Sequence, residues 1–309
     1  MKRGLRAFTI SASLMRIPGT TIARPRSNPR TVARALNGAV LGRVEIGAIG
    51  GTFMRDLTFR GLVLRDTSGA IVARVPEARV RFTLPQLLRR RFIFTEVTLE
   101  QPEIHLVKYR SGLMNYEEVL RIGKGSGTAV PPLVQLYNVR ISDAALTITV
   151  PWRPNVRTAA QRDSARAVQL KAHPGRRIIR GRDGPVQVTA FAHLTTRLQY
   201  LLVSSPTRKP IAAKLDTLAV QISDPQVEIT DASGQIELRG DTLAFQMQRV
   251  ALPNTEGVGG GRVFWPQDTI LFDFRFNAPR VDLVDLRFVS PGFPAMRGRG
   301  SPPRDGGGR

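Results

Sequence analysis

Apolar and polar residues alternate with a period of two through long parts of the chain, and few folds accept that period. Ile270, Phe272, Phe274 and Phe276 interleave with Leu271, Asp273, Arg275 and Asn277. Leu243, Phe245 and Met247 interleave with Ala244, Gln246 and Gln248, while Ile236 and Leu238 stand among Gln235, Glu237 and Arg239. Val80, Phe82 and Leu84 alternate with Arg79, Arg81 and Thr83. Successive side chains of a strand point to opposite faces, so these runs predict antiparallel strands with one apolar and one wet face. Residues 58–64 and 71–75 flank Asp66-Thr67-Ser68-Gly69, an Asp/Gly turn, and read as a hairpin. Residues 85–91 read as a short helical turn opened by proline.

An internal repeat strengthens the reading. Residues 97–106, 139–148 and 220–229 share one template: a strand ending on Leu or Ile, a polar pair, then Pro or Ala opening a strand of opposite phase. Their starts lie 42 and then 81 residues apart, close to one period and two. A period of this size marks a supersecondary unit that buries its apolar side by stacking on its neighbours. Each copy is expected to be two short strands, broken near Gln101-Pro102, Asp143-Ala144 and Asp224-Pro225.

The net charge of +22 suggests nucleic acid until it is located. Residues 1–42 hold eight basic residues and no acid, residues 153–182 nine against Asp163 alone, and residues 297–309 four against Asp305. The remainder has 25 basic and 22 acidic residues, so the excess belongs to the two ends and one insertion. Forty of the 46 basic residues are Arg, a bias that a GC-rich genome also produces. With no aromatic interleaving and no binding motif, a nucleic-acid partner is the weakest of the readings. Residues 153–185, ringed by Pro154, Pro174, Gly175, Gly181 and Gly184, read as a long, basic, exposed loop in which residues 157–170 could form a polar helix. Residues 1–42 read as a basic, poorly ordered or weakly helical segment, and residues 295–309 as a disordered Gly/Pro/Arg tail.

Catalytic chemistry needs converging ionisable groups, and the sequence offers few. His105, His173 and His193 stand apart, without the paired spacing zinc requires, and ordinary surface placement suits each better than ligation. The absence of Cys excludes disulfides and thiolate metal sites and fits an oxidising compartment. Residues 123–128 lack the spacing of a phosphate loop and read as a linker. Residues 257–261 resemble a dinucleotide fingerprint only in glycine count and are expected to permit a turn or bend. Asp66 reads as a turn residue and not as a general base. No catalytic, cofactor-binding or metal-binding residue is assigned, and a non-enzymatic protein is expected.

What covers the apolar faces then decides the function. Amphipathic helices are nearly absent, so either the faces close on one another in a sandwich, giving a scaffold for protein partners, or a curled sheet leaves an open apolar groove. A large exposed apolar face implies a ligand or partner, and acyl chains suit it. Val80, Phe82, Phe245, Met247, Phe272 and Phe274 occupy the apolar phase of their strands and are the candidate groove residues.

Several segments, taken in order, resemble AsmA-like and TamB-type envelope proteins. Residues 41–51, the strand through 57–64, Asp66–Gly69, Leu87-Leu88 followed by 97–106, and Gly112-Leu113-Met114-Asn115-Tyr116 resemble the start of that family. Residues 259–265, 281–287 and 291–294 resemble its later repeats. The resemblance spans roughly residues 36–294 outside the insertion. It implies an all-β fold, an elongated, curled antiparallel sheet of repeated short β units forming a groove, with few short helices. Residues 43–152 would form the first units and residues 186–294 the further ones. It also implies periplasmic, inner-membrane-associated placement, passage of phospholipid between inner and outer membranes or support of outer-membrane biogenesis, and outer-membrane assembly proteins as partners. No run of eighteen apolar residues is present, so the N-terminal anchor the family would supply is expected to be missing from this chain, which then reads as a fragment.

Overall fold

The computed structural model describes residues 42–52, 56–82, 86, 91–109, 111–120, 133–173, 175–207, 209–240, 242–264 and 271–285. For Glu117, Leu120, Leu271, Phe272 and Phe274 it describes the backbone alone. Residues 1–41 of the basic N-terminal segment, the linker at 123–128, residues 85 and 87–90 of the expected turn, and the tail at 295–309 lie outside the described residues, and Arg91 opens a strand.

The alternating stretches form strands, as their period requires. In chain order these are β1 (Arg43–Thr52), β2 (Asp56–Arg65), β3 (Ile71–Phe82), β4 (Arg91–Glu100) and β5 (Glu103–Val107). A short helix α1 (Asn115–Leu120) precedes β6 (Leu133–Pro151), and a longer helix α2 (Ala159–Ala172) precedes β7 (Arg177–Gly181) and β8 (Gly184–Ser204). The chain continues through β9 (Ile211–Ser223), β10 (Gln226–Ile229), β11 (Asp231–Arg239), β12 (Thr242–Ala251), β13 (Glu256–Phe264) and β14 (Leu271–Arg280). All fourteen strands belong to one sheet, ordered β1-β2-β3-β4-β6-β8-β9-β11-β12-β13-β14, with β5 between β3 and β6, β7 beside β8 and β10 beside β9. The fold is therefore an all-β curled sheet, and among the described residues there is no second sheet to make a sandwich. The strands described within 43–152 and within 186–294 belong to one sheet, joined where β6 pairs with β8.

The pairing is antiparallel with one exception: β4 and β5 run parallel to β6. A parallel pair needs a crossover of a dozen or more residues, and the connection through α1 supplies it. The offset of this pairing is constant, from Arg91↔Leu133 through Val97↔Val139 to Val107↔Thr149. It equals the 42-residue spacing of the first two repeat copies, which therefore lie side by side with equivalent residues facing each other. The expected break occurs in the first copy, where β4 ends at Glu100 and β5 begins at Glu103. In the second copy β6 runs through without a break, and the change of phase is taken up by a bulge between Ile141 and Ala144. The third copy does break at Asp224-Pro225, but it turns back there, so that β10 pairs with β9 as a hairpin. It matches the template in sequence and not in topology.

Bulges aligned across strands curl the sheet. Gln101, Asp143 and His193 all have positive φ, at 46°, 50° and 51°. Gln101 Nε2 donates to Asp143 Oδ2 at 3.4 Å, and His193 Nδ1 lies 2.9 Å from Asp143 Oδ1. Asn138, with φ 49°, donates from its side chain to the Thr95 carbonyl at 3.0 Å and marks a second such line. A bulge bends its strand and raises its twist, and bulges in register across neighbours bend the sheet as a unit.

The insertion is more ordered than the exposed loop expected of it. Thr158 caps α2 in a capping box with Gln161, which satisfies the backbone donors at that end and starts the helix locally. No residue of α2 is buried, so the helix contributes no core, in keeping with its polar sequence. The stretch after it is a strand: β7 pairs with β8 through Arg177↔Val188 to Gly181↔Gly184, and Ile178 is buried. Trp152 Nε1 donates to Gln169 Oε1 at 2.9 Å and Arg166 Nη2 to the Ile178 carbonyl at 2.8 Å, tying α2 to β6 and β7. Arg176 pairs with Asp224 at 2.8 Å, tying the module to the β9–β10 turn.

Candidate functional site

The register carries one apolar row across most of the sheet. Leu57 faces Val80, Val80 faces Val97, Val97 faces Val139, Val139 faces Leu198 and Leu198 faces Leu215. The row goes on through Gly234, Met247 and Gly259 to Phe276. Val97, Val139, Leu198 and Leu215 form its buried centre, and Val80, Phe94, Leu99, Leu136, Ile141, Leu201, Leu218 and Ile236 pack against them half-buried. A second row runs beside the first, from Phe82 through Phe94, Leu136, Leu201, Ala213 and Ile236 to Phe245 and Gly261. On its other side Ile49, Phe59, Ala78, Leu99 and Ile141 make a third. The result is a continuous apolar face at least three rows wide.

Four of the six candidate groove residues are placed on this face. Val80 and Met247 stand in the central row, and Phe82 and Phe245 in the second. Phe82 is buried, and the other three are half-buried. Phe272 and Phe274 hold register positions opposite Val263 and Gly261, and their side chains lie outside the described residues. Phe94, Leu136 and Leu201 belong to the face although strict alternation hides them. The intervals Phe94–Val97, Leu136–Val139 and Leu198–Leu201 are three residues, and a bulge in each strand restores the phase. The detectable signal was the apolar character of these positions and not their period.

Glycines let the strands approach closely at the β14 end. A Cβ on Gly259 would sit 2.6 Å from the Arg275 carbonyl oxygen and 3.2 Å from the Phe276 ring, so that ring lies over bare backbone. Gly234, with φ 152°, would place a Cβ 2.3 Å from the Gln246 carbonyl oxygen. Residues 257–261, expected to permit a turn or bend, lie within strand β13, whose register shifts between Glu256 and Val258.

The opposite face is polar, and many of its charges are paired. Arg79 and Arg60 pair with Glu77 at 2.6 and 3.5 Å, Arg81 with Glu96 at 2.7 Å, Arg262 with Asp273 at 3.2 Å, and Arg249 with Glu256 and Asp231 at 2.8 Å each. Such exposed pairs add little stability.

One corner of the sheet is clamped by buried polar groups. Asp66 Oδ1 accepts from Ser68 N, Ser68 Oγ and Ala70 N at 2.9, 2.7 and 2.9 Å, and Oδ2 accepts from the Tyr109 hydroxyl at 2.7 Å. Burial alone would raise the Asp66 pKa. The hydroxyls of Ser68 and Tyr109 and the amides of Ala70 and Ser68 outweigh it and hold the carboxyl below its usual range. Asn115, also buried, donates to the His105 carbonyl at 2.7 Å and accepts from Val107 N and Tyr116 N, fixing α1 to β5. Asp66 is thus a turn residue, and every one of these bonds serves the fold. Of the histidines, His105 bonds Thr147, His193 bonds Asp143, and His173 ends α2. Among the described residues no three His, Asp or Glu side chains converge as a metal site would require, and no helix is long and apolar enough to cross a membrane. Compared with known protein families, curated proteins and solved structures, the chain matches none.

Proposed function

We propose that this chain is a non-enzymatic, lipid-conducting segment of a cell-envelope protein, with phospholipid acyl chains lying along the apolar face. The observation that carries the reading is the length of that face. Apolar rows cross the sheet from β2 to β14, among the described residues there is no second sheet, and the longer helix α2 buries none of its residues. Soluble proteins rarely keep contiguous apolar surface beyond a few hundred Å² without a ligand or partner. A one-sided trough many strands long suits extended hydrocarbon, which needs continuity and no specific polar contact. The resemblance to AsmA-like and TamB-type proteins supports the same reading, and with it a periplasmic, inner-membrane-associated setting and a part in outer-membrane biogenesis. Catalysis is not part of the proposal.

Photo-crosslinking tests it. A benzophenone amino acid at position 245 or 247 should yield phospholipid adducts by mass spectrometry after mild extraction. The same probe at Gln235 or Glu237, which are exposed on the polar side, should yield none. Protein adducts in place of lipid adducts at 245 and 247 would favour an assembly scaffold and end the conduit reading.

A further inference from the structure

The compensation of charge over the sheet makes its absence from the insertion informative. On the sheet Arg60, Arg65, Arg74, Arg79, Arg81, Arg239, Arg249 and Arg262 each have a carboxylate partner, while Arg140, Arg197 and Arg275 have none among the described residues. In the α2–β7 module Arg157, Arg162, Lys171, Arg177, Arg180 and Arg182 are exposed, and none forms an ion pair among the described residues. Across the insertion, residues 153–185, Asp163 and Asp183 stand against nine basic residues. Arg176, which does find a partner in Asp224, is half-buried and serves to hold the module in place. The module is therefore an ordered basic projection, fastened to the rim of the sheet by Trp152, Arg166 and Arg176, with nothing buried on its helix and Ile178 buried on its strand.

We infer that this projection is a contact surface for an anionic phospholipid bilayer. Uncompensated cations within a Debye length of one another sum to a local positive potential, and anionic headgroups supply the complementary sheet of charge. Two apolar side chains project among these cations: Val168 is 67% exposed and Ile179 45%. At a membrane surface such side chains enter the boundary between headgroups and acyl chains while the flanking arginines meet phosphate. A nucleic-acid surface offers them nothing comparable. The module's only aromatic residue, Trp152, is buried, so no base can stack on it. The inference does not depend on what lies in the apolar trough.

Vesicle co-sedimentation of the full chain tests it. Vesicles of phosphatidylcholine with about one quarter phosphatidylglycerol should bind the protein at about 0.1 M salt, and pure phosphatidylcholine vesicles should not. Binding should fall steeply toward about 0.5 M salt. The variant with Arg157, Arg162, Lys171, Arg177, Arg180 and Arg182 each changed to Gln should lose about tenfold or more in vesicle affinity while keeping its β circular dichroism. These six side chains have no ion-pair partner to strand among the described residues, so folding should survive. Val168→Asp alone should weaken binding with the cations intact. A six-site variant that folds and binds as well as the parent would overturn the inference and assign the contact to the basic ends of the chain. So would a parent that binds a DNA duplex as tightly as the anionic vesicles under the same salt.

Discussion

At the scale of single residues, Asp66 shows how this sheet uses a buried charge. Asp66 is 5% exposed, yet four hydrogen-bonding groups of the β2–β3 turn and its surroundings leave its carboxylate ionised, because together they overcome the burial penalty. Tyr109 experiences the reverse: burial first, and then the Asp66 carboxylate it donates to, push its pKa up, so it remains a donor at all physiological pH. A carboxyl whose pKa is lowered on folding adds stability above its unfolded pKa of about 4 and loses it as pH falls through the folded value. Removing the donor by Tyr109→Phe should therefore cost about 1.5–3 kcal/mol in urea unfolding at pH 7, the range for a hydrogen bond to a charged group. The cost should shrink below about pH 4 as Asp66 takes up a proton. A cost independent of pH would mean that lost packing, not the charged hydrogen bond, is responsible.

At the scale of elements, β7 and α2 make opposite contributions although they are neighbours. Ala167→Pro should break α2, removing helical signal near 222 nm, while leaving the unfolding midpoint in place, because no residue of the helix is buried. Ile178→Asp should lower stability by about 3 kcal/mol or more, since Ile178 is 3% exposed and an unpaired carboxylate would replace it. Equal midpoints for the two variants would show that β7 does not hold the edge of β8. The same pair shows what a sequence reader can see. The alternating strands were legible because one wet face and one dry face write a period of two. The 42-residue repeat was legible as a spacing, and it is the register offset of β4 and β5 on β6. The insertion was legible only in part: residues 157–170 suggested a polar helix, which forms at Ala159–Ala172, but β7 is five residues flanked by Gly and Arg and read as loop. The inner positions Phe94, Leu136 and Leu201 were missed because bulges shift their phase. The third repeat copy misled because a polar pair followed by Pro or Ala serves a bend in one strand and a turn between two strands equally well.

At the scale of the whole molecule, packing and function make opposite demands on the same apolar face, and the two demands separate along it. Its centre is a core: Val97, Val139, Leu198 and Leu215 are between 2% and 9% exposed and lie on four adjacent strands. Toward β14 the face opens, with Phe245 and Met247 half-buried and Phe276 37% exposed. Val139→Asp places a charge where water cannot reach it and should cost about 4 kcal/mol or more, a large part of the roughly 5–15 kcal/mol that holds a typical domain together. Phe245→Asp places the same charge at a half-buried position of the proposed trough, where the carboxylate keeps much of its hydration if the face is open, and the melting temperature should move little. The two substitutions should then part company in lipid binding. Phe245→Asp should fold normally and lose phospholipid adducts from a probe at position 247, because a charge in the trough repels hydrocarbon along its length. If Phe245→Asp unfolds the chain as Val139→Asp does, the outer rows are core as well, the face is closed in solution, and no trough is left for an acyl chain.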